Sequence, residues 1–299
     1  MPSLVQALTS YRHIIFEHPL GRRNKWKTVG RIASWQIGSR VLGEAAVLDF
    51  VEGTRMVVRP GMVGLTVNYY AGLYEFEEMG FVLHTLREDD LFVDVGANAG
   101  SFTVLAGGVA SARCVSIEPV PATFGALRTN VALNHLQGRV ELHNVGMGAE
   151  NGRLRFSTED DAMNRVVQGV HPGEPSVEVA VRTLDGLLDG RTPTCLKIDV
   201  EGWETKVLEG APQLLGQAHP LAIVIEMNGS GSAYGFSDAS VDQLLRAHGL
   251  VPCSYDPLSR LLTPEPDTFG DNRIYVRERA FFQARLADAR AFHIHGTAV

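Results

Sequence analysis

Residues 91–104 read LFVDVGANAGSFTV: a short apolar run, two glycines four positions apart, and a second apolar run. The first run has the length of a buried strand and the second opens a helix, so Gly96 to Gly100 forms a tight turn between them. Glycine at such a turn lets the backbone come close to a ligand. The spacing G-x-N-x-G departs from the dinucleotide fingerprint G-x-G-x-x-G. Asp94 ends the strand. Like charges repel at short range, so a carboxylate is out of place in a pyrophosphate cradle, whereas a ligand with positive charge is attracted to it.

Outward from this turn, apolar strands alternate with amphipathic helices: RCVSIEP, TFGALRTNVALN, VELHNVGM, then CLKIDVEG, ETKVLEGAPQLL, LAIVIEMN, SVDQLLRAHG, LVPCSYDP and RIYVRER. A polar, β-prone insertion at 152–184 interrupts the series. The alternation predicts an α/β fold whose parallel sheet is covered on both faces. Ligands of such sheets sit beyond the carboxyl ends of the strands. The second strand ends Ile117-Glu118-Pro119, and Glu118 follows Gly96 by 22 residues. An acid at that distance accepts hydrogen bonds from ribose hydroxyls in nucleotide-binding folds. Asp94 with Glu118 therefore reads as a site for adenosine with a cationic tail, a description that S-adenosylmethionine meets better than NAD.

The fourth strand ends Lys197-Ile198-Asp199-Val200-Glu201-Gly202 and the fifth Glu226-Met227-Asn228-Gly229. Strand alternation puts Lys197, Asp199 and Glu201 on one side. Polar groups ending apolar strands need partners or a task. One reading is internal ion pairing of Lys197; the other is an edge where an acceptor meets the donor's methyl group. Asp199 leads as candidate base or acceptor-orienting group, followed by Glu201 and Glu226. These carboxylates with Asn228 also make an oxygen set suited to a divalent cation, but no ligand spacing demands a metal and none is expected.

VDVGANAGSFTVLA, SIEPVPATFGALRTNVALN, VRTLDGLL, LKIDVEGWETKVLEGA and IVIEMN together resemble the FkbM family of S-adenosylmethionine-dependent methyltransferases, over roughly residues 70–230 and with LYEFEE before the first strand. The resemblance implies a Rossmann-like class I methyltransferase fold: a seven-stranded, mostly parallel sheet with its last strand antiparallel and helices on both faces. It implies O-methylation of a hydroxyl on a sugar, glycolipid or polyketide-type natural product. By that match Asp94, Gly96, Asn98, Gly100 and Glu118 bind the donor, and Asp199 and Glu201 lie near the transfer site. Ser101 and Pro119 are expected to join the donor set and Asn144 to edge the adenine pocket; Glu75 reads either as reaching the methionine end or as an acid in the first turn of a helix. Tyr69, Tyr70 and Asn228 are assigned to the acceptor. Asp185 is read as the N-cap of the helix that follows it; His143 and His171 are read as ordinary histidines. An NAD-linked oxidoreductase is disfavoured by Asp94 and the missing third glycine. A donor-binding scaffold without turnover is disfavoured by the acids ending the fourth and fifth strands.

The composition is that of a globular chain. The chain has 299 residues, 45% hydrophobic and 20% charged, with mean hydropathy +0.01, enough for two domains or one large one. A net charge of −7 argues against a nucleic-acid partner. Three cysteines without a CxxC spacing indicate neither a disulfide frame nor a zinc site. No apolar run is long enough to span a bilayer, and Arg12 and His13 break up any signal-peptide core, so a cytoplasmic location is expected. Residues 1–40 nevertheless carry +6. Leu4, Leu8, Tyr11 and Ile15 recur at helical spacing, and AVLDFV and TRMVVRP read as a hairpin turning at Glu52-Gly53. The expected organisation is an N-terminal extension over 1–85 (lid or oligomer contact), a methyltransferase domain over 86–278 and a helical tail over 279–299. Residues 46–75 are expected to wall the acceptor pocket. The basic arm leaves peripheral membrane contact and a homo-oligomer open, and Trp26 and Trp35 are read as core or interface.

Overall fold

A computed structural model describes residues 4–43, 45–158, 164–167, 175–265 and 272–299. The chain opens with helices α1 (Leu4–Phe16) and α2 (Lys25–Leu42), the hairpin β1 (Ala46–Asp49) and β2 (Arg55–Val58), and helices α3 (Val63–Ala71) and α4 (Phe76–Thr85). The hairpin turns where the sequence places it, with Glu52 and Gly53 both at positive φ. The buried face of α1 is shifted from the expected stripe. Ile14 is buried and Tyr11 and Ile15 pack on the core, while Leu8 is exposed; the Leu4 side chain lies outside the described residues.

The alternation begins with β3 (Leu91–Val95), α5 (Ser101–Val104) continued by a π-turn over Leu105–Val109, β4 (Arg113–Ile117), α6 (Pro121–Leu133) and β5 (Val140–His143). The polar insertion forms a side sheet of β6 (Gly146–Met147), β7 (Gly152–Ser157) and β8 (Ser176–Arg182). Then follow α7 (Leu184–Leu188), β9 (Cys195–Ile198), α8 (Glu204–Glu209), α9 (Pro212–Gly216), β10 (Leu221–Glu226), α10 (Asp238–Ala247), β11 (Val251–Asp256), β12 (Leu261–Pro264) and β13 (Asn272–Arg277). Helix α11 (Arg279–Ala287) and the pair β14 (His293–Ile294) and β15 (Thr297–Ala298) complete the described chain.

The main sheet has the order β12-β11-β13-β10-β9-β3-β4-β5. Strands β10, β9, β3, β4 and β5 are parallel, and β13 runs antiparallel between β10 and β11. This is the seven-stranded Rossmann-like sheet with its last strand reversed, extended by β12 as an eighth edge strand. Alternation along the strands feeds two cores. Phe92, Cys114, Cys195 and Val224 face one, with Leu65, Tyr70, Phe81, Phe282 and Ile294 from the two ends of the chain. Val93, Val115, Leu196 and Ile223 face the other, with Leu184, Val207 and Leu245. All three cysteines are buried free thiols. No helix among the described residues is long and apolar enough to cross a membrane.

The cap expected from Asp185 serves a different helix. Thr183 caps α7, accepting from the Gly186 N–H at 3.1 Å. Asp185 instead accepts from the N–H groups of Gln213 and Leu214, at 2.7 and 3.0 Å, satisfying free donors at the start of α9.

Candidate active site

The parallel strands end together at a cavity of about 410 Å³, within the range of roughly 300–1,000 Å³ typical of small-molecule sites. Its floor is the turn after β3. The N–H groups of Gly96 and Ala97 both donate to the Ile117 carbonyl, at 3.0 and 2.9 Å. Gly96 has φ +78°, and a Cβ there would stand 1.8 Å from the Asp199 carbonyl oxygen. Only glycine lets the ends of β3 and β9 come this close. Asn98 follows at φ +49°; its backbone N–H donates to Glu118 Oε2 at 3.1 Å, and its own Oδ1 accepts from the Ala99 N–H at 2.6 Å. Glu118 Oε1 accepts from the Val120 N–H at 2.9 Å. One buried carboxylate thus ties the turn after β3 to the turn after β4.

The sequence-assigned donor residues separate into two groups. Glu75, Gly96, Asn98 and Ser101 line the cavity. Asp94, Gly100, Glu118, Pro119 and Asn144 are not among its lining residues and serve the turns that shape it. Asp94 is 1% exposed, its Oδ2 accepting from the Thr103 hydroxyl at 2.7 Å. Gly100, at φ +95°, leaves room for Leu127 beneath the turn. Asn144 donates through Nδ2 to the carbonyls of Glu118 and Pro119, at 2.9 and 2.8 Å, and so braces the segment that carries Glu118.

Carboxylates dominate the wall. Lys197, Asp199 and Glu201 all line the cavity with Glu226 and Glu75; because β9 ends at Ile198, the turn that follows it, not strand alternation, brings Asp199 and Glu201 there. Carboxylate oxygens of Asp199, Glu201 and Glu226 lie within 4.8 Å of one another, a set able to hold a cationic group. The Lys197 ammonium donates to Asp199 Oδ2 at 2.8 Å and lies 4.9 Å from the centre of the Phe102 ring. Burial acts to lower the Lys197 pKa, but Asp199, Asp94 and Glu75 outweigh it and hold the group charged. Asp94 is Lys197's register partner on β3, so the two side chains lie side by side on one face of the sheet and Asp94 adds to the field that holds the lysine charged. Crowding has the reverse effect on the acids. Burial, then Asp199 and Glu204, push Glu201 up to about 7. Burial, then Asp199, Glu201 and Glu204, push Glu226 up to about 9. Burial raises Glu75 to about 7, partly countered by Lys197. Glu75 Oε2 and Glu226 Oε2 are enclosed without a hydrogen-bond partner among the described residues. Glu201, like Asn98, holds a left-handed backbone conformation without being glycine, with φ +54°, a strain typical of functional sites.

The opposite wall comes from the segment before the alternation. Gly61, Met62, Val63, Gly64, Leu65, Asn68, Tyr74 and Met79 line the cavity; apart from the neighbouring LYEFEE, nothing in their types announces it. The hairpin does not: β2 lies against α6, the Val57 N–H donating to Asn130 Oδ1 at 2.7 Å. Tyr69 and Tyr70 require correction as acceptor residues. Tyr70 is 2% exposed and its hydroxyl accepts from Gln36 Nε2 at 3.0 Å; Tyr69 faces Trp35 and Leu48 in a small space beside α2. Each step along a helix rotates the side chain by about 100°, so α3 turns Asn68 to the cavity and the next two residues away. Asn228 lines a second cavity of about 500 Å³, bounded also by His18, Phe76, Glu77 and Asn272, which shares Tyr74, Glu75 and Glu226 with the first. His143 lies off the site, bonded to Glu141 at 2.6 Å; His171 lies outside the described residues.

With the strand-end acids and glycine turn in place, comparison with known proteins is decisive. A family profile described as "Methyltransferase FkbM domain" matches residues 94–251. The chain belongs to the FkbM methyltransferase family. Its relatives include "Methyltransferase 1" of Beauveria bassiana, 30% identical over 148 residues, which are 41% of this chain and 59% of that protein. "Hexuronic acid methyltransferase AglP" of Haloferax volcanii is 28% identical over 146 residues, 47% of this chain and 58% of that one. "31-O-demethyl-FK506 methyltransferase FkbM" of Streptomyces tacrolimicus is 29% identical over 211 residues, 58% of this chain and 77% of that one. The chain spans less than two thirds of the length of the first two. The FkbM match begins at Asp94 and takes in Glu118, Asp199, Glu201 and Glu226, while the wall from Gly61 to Glu75 precedes it.

Proposed function

We propose that this FkbM-family chain transfers a methyl group from S-adenosylmethionine to a hydroxyl of a small molecule such as a sugar, glycolipid or polyketide-type natural product. The observation that carries the reading is the acid-lined cavity at the glycine turn. Among the described residues, two enclosed carboxylate oxygens on it lack partners, and the lysine that lines it, Lys197, is already held by Asp199. Such a wall suits a ligand with two positive centres, and the sulfonium and ammonium of S-adenosylmethionine meet that demand, which the phosphates of NAD do not. Gly96, Asn98 and Ser101 would hold the adenosine side, with Glu118 retaining spare lone pairs for the ribose. Glu75 and the Lys197–Asp199 pair would hold the methionine side.

When bound, S-adenosylmethionine supplies a methyl carbon activated by its positive sulfur. The chain's own share is alignment, worth up to about 7–11 kcal/mol in well-oriented systems, and removal of the hydroxyl proton. Glu201 suits the second task better than Asp199, because Asp199 is engaged by Lys197 while Glu201 accepts a proton near neutral pH. Glu226, protonated at neutral pH, can donate a hydrogen bond to the acceptor. The test is transfer of isotope-labelled methyl from S-adenosylmethionine into sugar, glycolipid and polyketide acceptor pools, read by mass spectrometry. Label in a hydroxyl-bearing product supports the proposal; label only on nitrogen or carbon, or turnover of NAD instead, contradicts it.

A further inference from the structure

Helix α2 is apolar on two opposite faces. Thr28, Ile32 and Trp35 pack inward. About half a turn away, Trp26, Val29, Ile37 and Val41 are exposed by 88, 39, 64 and 77%, and a Cβ at Gly30 would meet nothing within 4 Å. From Trp26 to Val41 this outward stripe runs about 22 Å at the rise of an α-helix. Continuous exposed apolar surface on a chain with a packed core marks an interaction site. Basic side chains fringe it. Arg22, Arg23 and Lys27 make no side-chain hydrogen bond or ion pair among the described residues, and the Lys25 ammonium lies 5.0 Å from the centre of the half-exposed Phe16 ring. Helices α1 and α3, which pack against α2, contain no acid; the only one between residues 4 and 43 is Glu17, engaged by Arg12 at 3.1 Å and His13 at 2.9 Å.

We infer that this face docks the protein on an anionic lipid surface, with the stripe entering the headgroup–acyl boundary and the cationic fringe meeting lipid phosphates. A tryptophan and branched aliphatics flanked by Lys and Arg are the composition of an interfacial helix. The charge distribution favours the same orientation: residues 1–40 carry +6 and the remainder −13, so the acidic body is turned from the membrane. A second copy of the chain is a poorer occupant, because each copy brings the same cations and no carboxylate on these helices to meet them. Nucleic acid would satisfy the fringe but leave the apolar stripe in water.

The test is sedimentation of the full chain with vesicles of phosphatidylcholine alone and of phosphatidylcholine mixed with phosphatidylglycerol. The protein pellets with the mixed vesicles only and is released by raised salt. Each of Arg22→Gln, Arg23→Gln and Lys27→Gln lowers the partition coefficient about fivefold. Trp26→Ala with Ile37→Ala abolishes binding at unchanged melting temperature, and brominated lipid quenches tryptophan emission in the native chain but not in Trp26→Phe. The inference is overturned by equal binding to neutral vesicles, by binding to neither, or by a dimer in light scattering that Trp26→Ala dissociates.

Discussion

Glu118 and Glu201 show how one residue type takes opposite tasks at strand ends on either side of β3. Glu118 is 6% exposed, with a backbone N–H on each oxygen, and organises the glycine turn. Glu118→Ala should weaken S-adenosylmethionine binding ten- to a hundredfold, since charge-assisted bonds of this kind contribute about 1.5–3 kcal/mol; titration calorimetry on the folded fraction measures it. Glu201 faces the cavity with its pKa raised to about 7. If it takes the acceptor's proton, kcat/KM rises with pH as Glu201 ionises through about 7 and falls as Glu226 loses its proton through about 9. Glu201→Gln should remove the acid limb and lower kcat by about 10²–10⁴-fold, with little change in donor affinity. A profile whose acid limb survives Glu201→Gln assigns the base elsewhere. These acids were legible in the sequence because each ends a strand, and a parallel sheet gathers its strand ends. Tyr69 and Tyr70 were misread for a related reason: helix α3 is placed correctly, but which of its faces meets the cavity depends on packing against α2, which residue type does not encode.

At the scale of elements, the hairpin β1–β2 is attached by a residue that carried no signal. Asn130 of α6 is fully buried; its Oδ1 accepts from the Val57 N–H at 2.7 Å and its Nδ2 donates to the Ala99 carbonyl at 2.8 Å. It joins the hairpin to the glycine turn, and a two-stranded hairpin needs such support to persist. Asn130→Ala leaves both backbone groups unpaired and should cost about 2–4 kcal/mol, seen as a lower denaturant midpoint. It should also weaken donor binding, because Ala99 lies within the turn. Unchanged stability would mean that the hairpin is held by its apolar contacts and by Asn134, whose side chain bonds the Arg55 N–H and carbonyl at 2.8 and 2.7 Å. Asp185 teaches the same lesson. The sequence identifies it as a capping residue, but the helix it caps, α9, begins 27 residues later, and such long-range partners are invisible to local pattern.

Across the whole molecule, buried acids shape the dependence of stability on pH. Burial raises Glu75, Glu118, Glu201 and Glu204 to about 7 and, reinforced by its acidic neighbours, Glu226 to about 9. A carboxyl whose folded pKa is raised stabilises the fold fully below its unfolded value, near 4.5, and that contribution is lost as pH rises through the folded value. The ligand-free protein should therefore melt at a higher temperature at about pH 5.5 than at about pH 8.5. Saturating S-adenosylmethionine should flatten the dependence, because a cationic ligand favours the ionised acids; differential scanning fluorimetry at constant ionic strength reads both curves. The FkbM-family fold and the acid-lined cavity rest on the same sheet edge, and the ligand that this edge selects is the central claim. Titration calorimetry of the purified protein with S-adenosylmethionine, its demethylated product and NAD tests it most directly. The account predicts saturable binding of S-adenosylmethionine with release of protons from the cavity acids, binding of the product with less proton release because its sulfur is uncharged, and no binding of NAD. Tighter binding of NAD, or no binding of either adenosyl compound by folded protein, would contradict it.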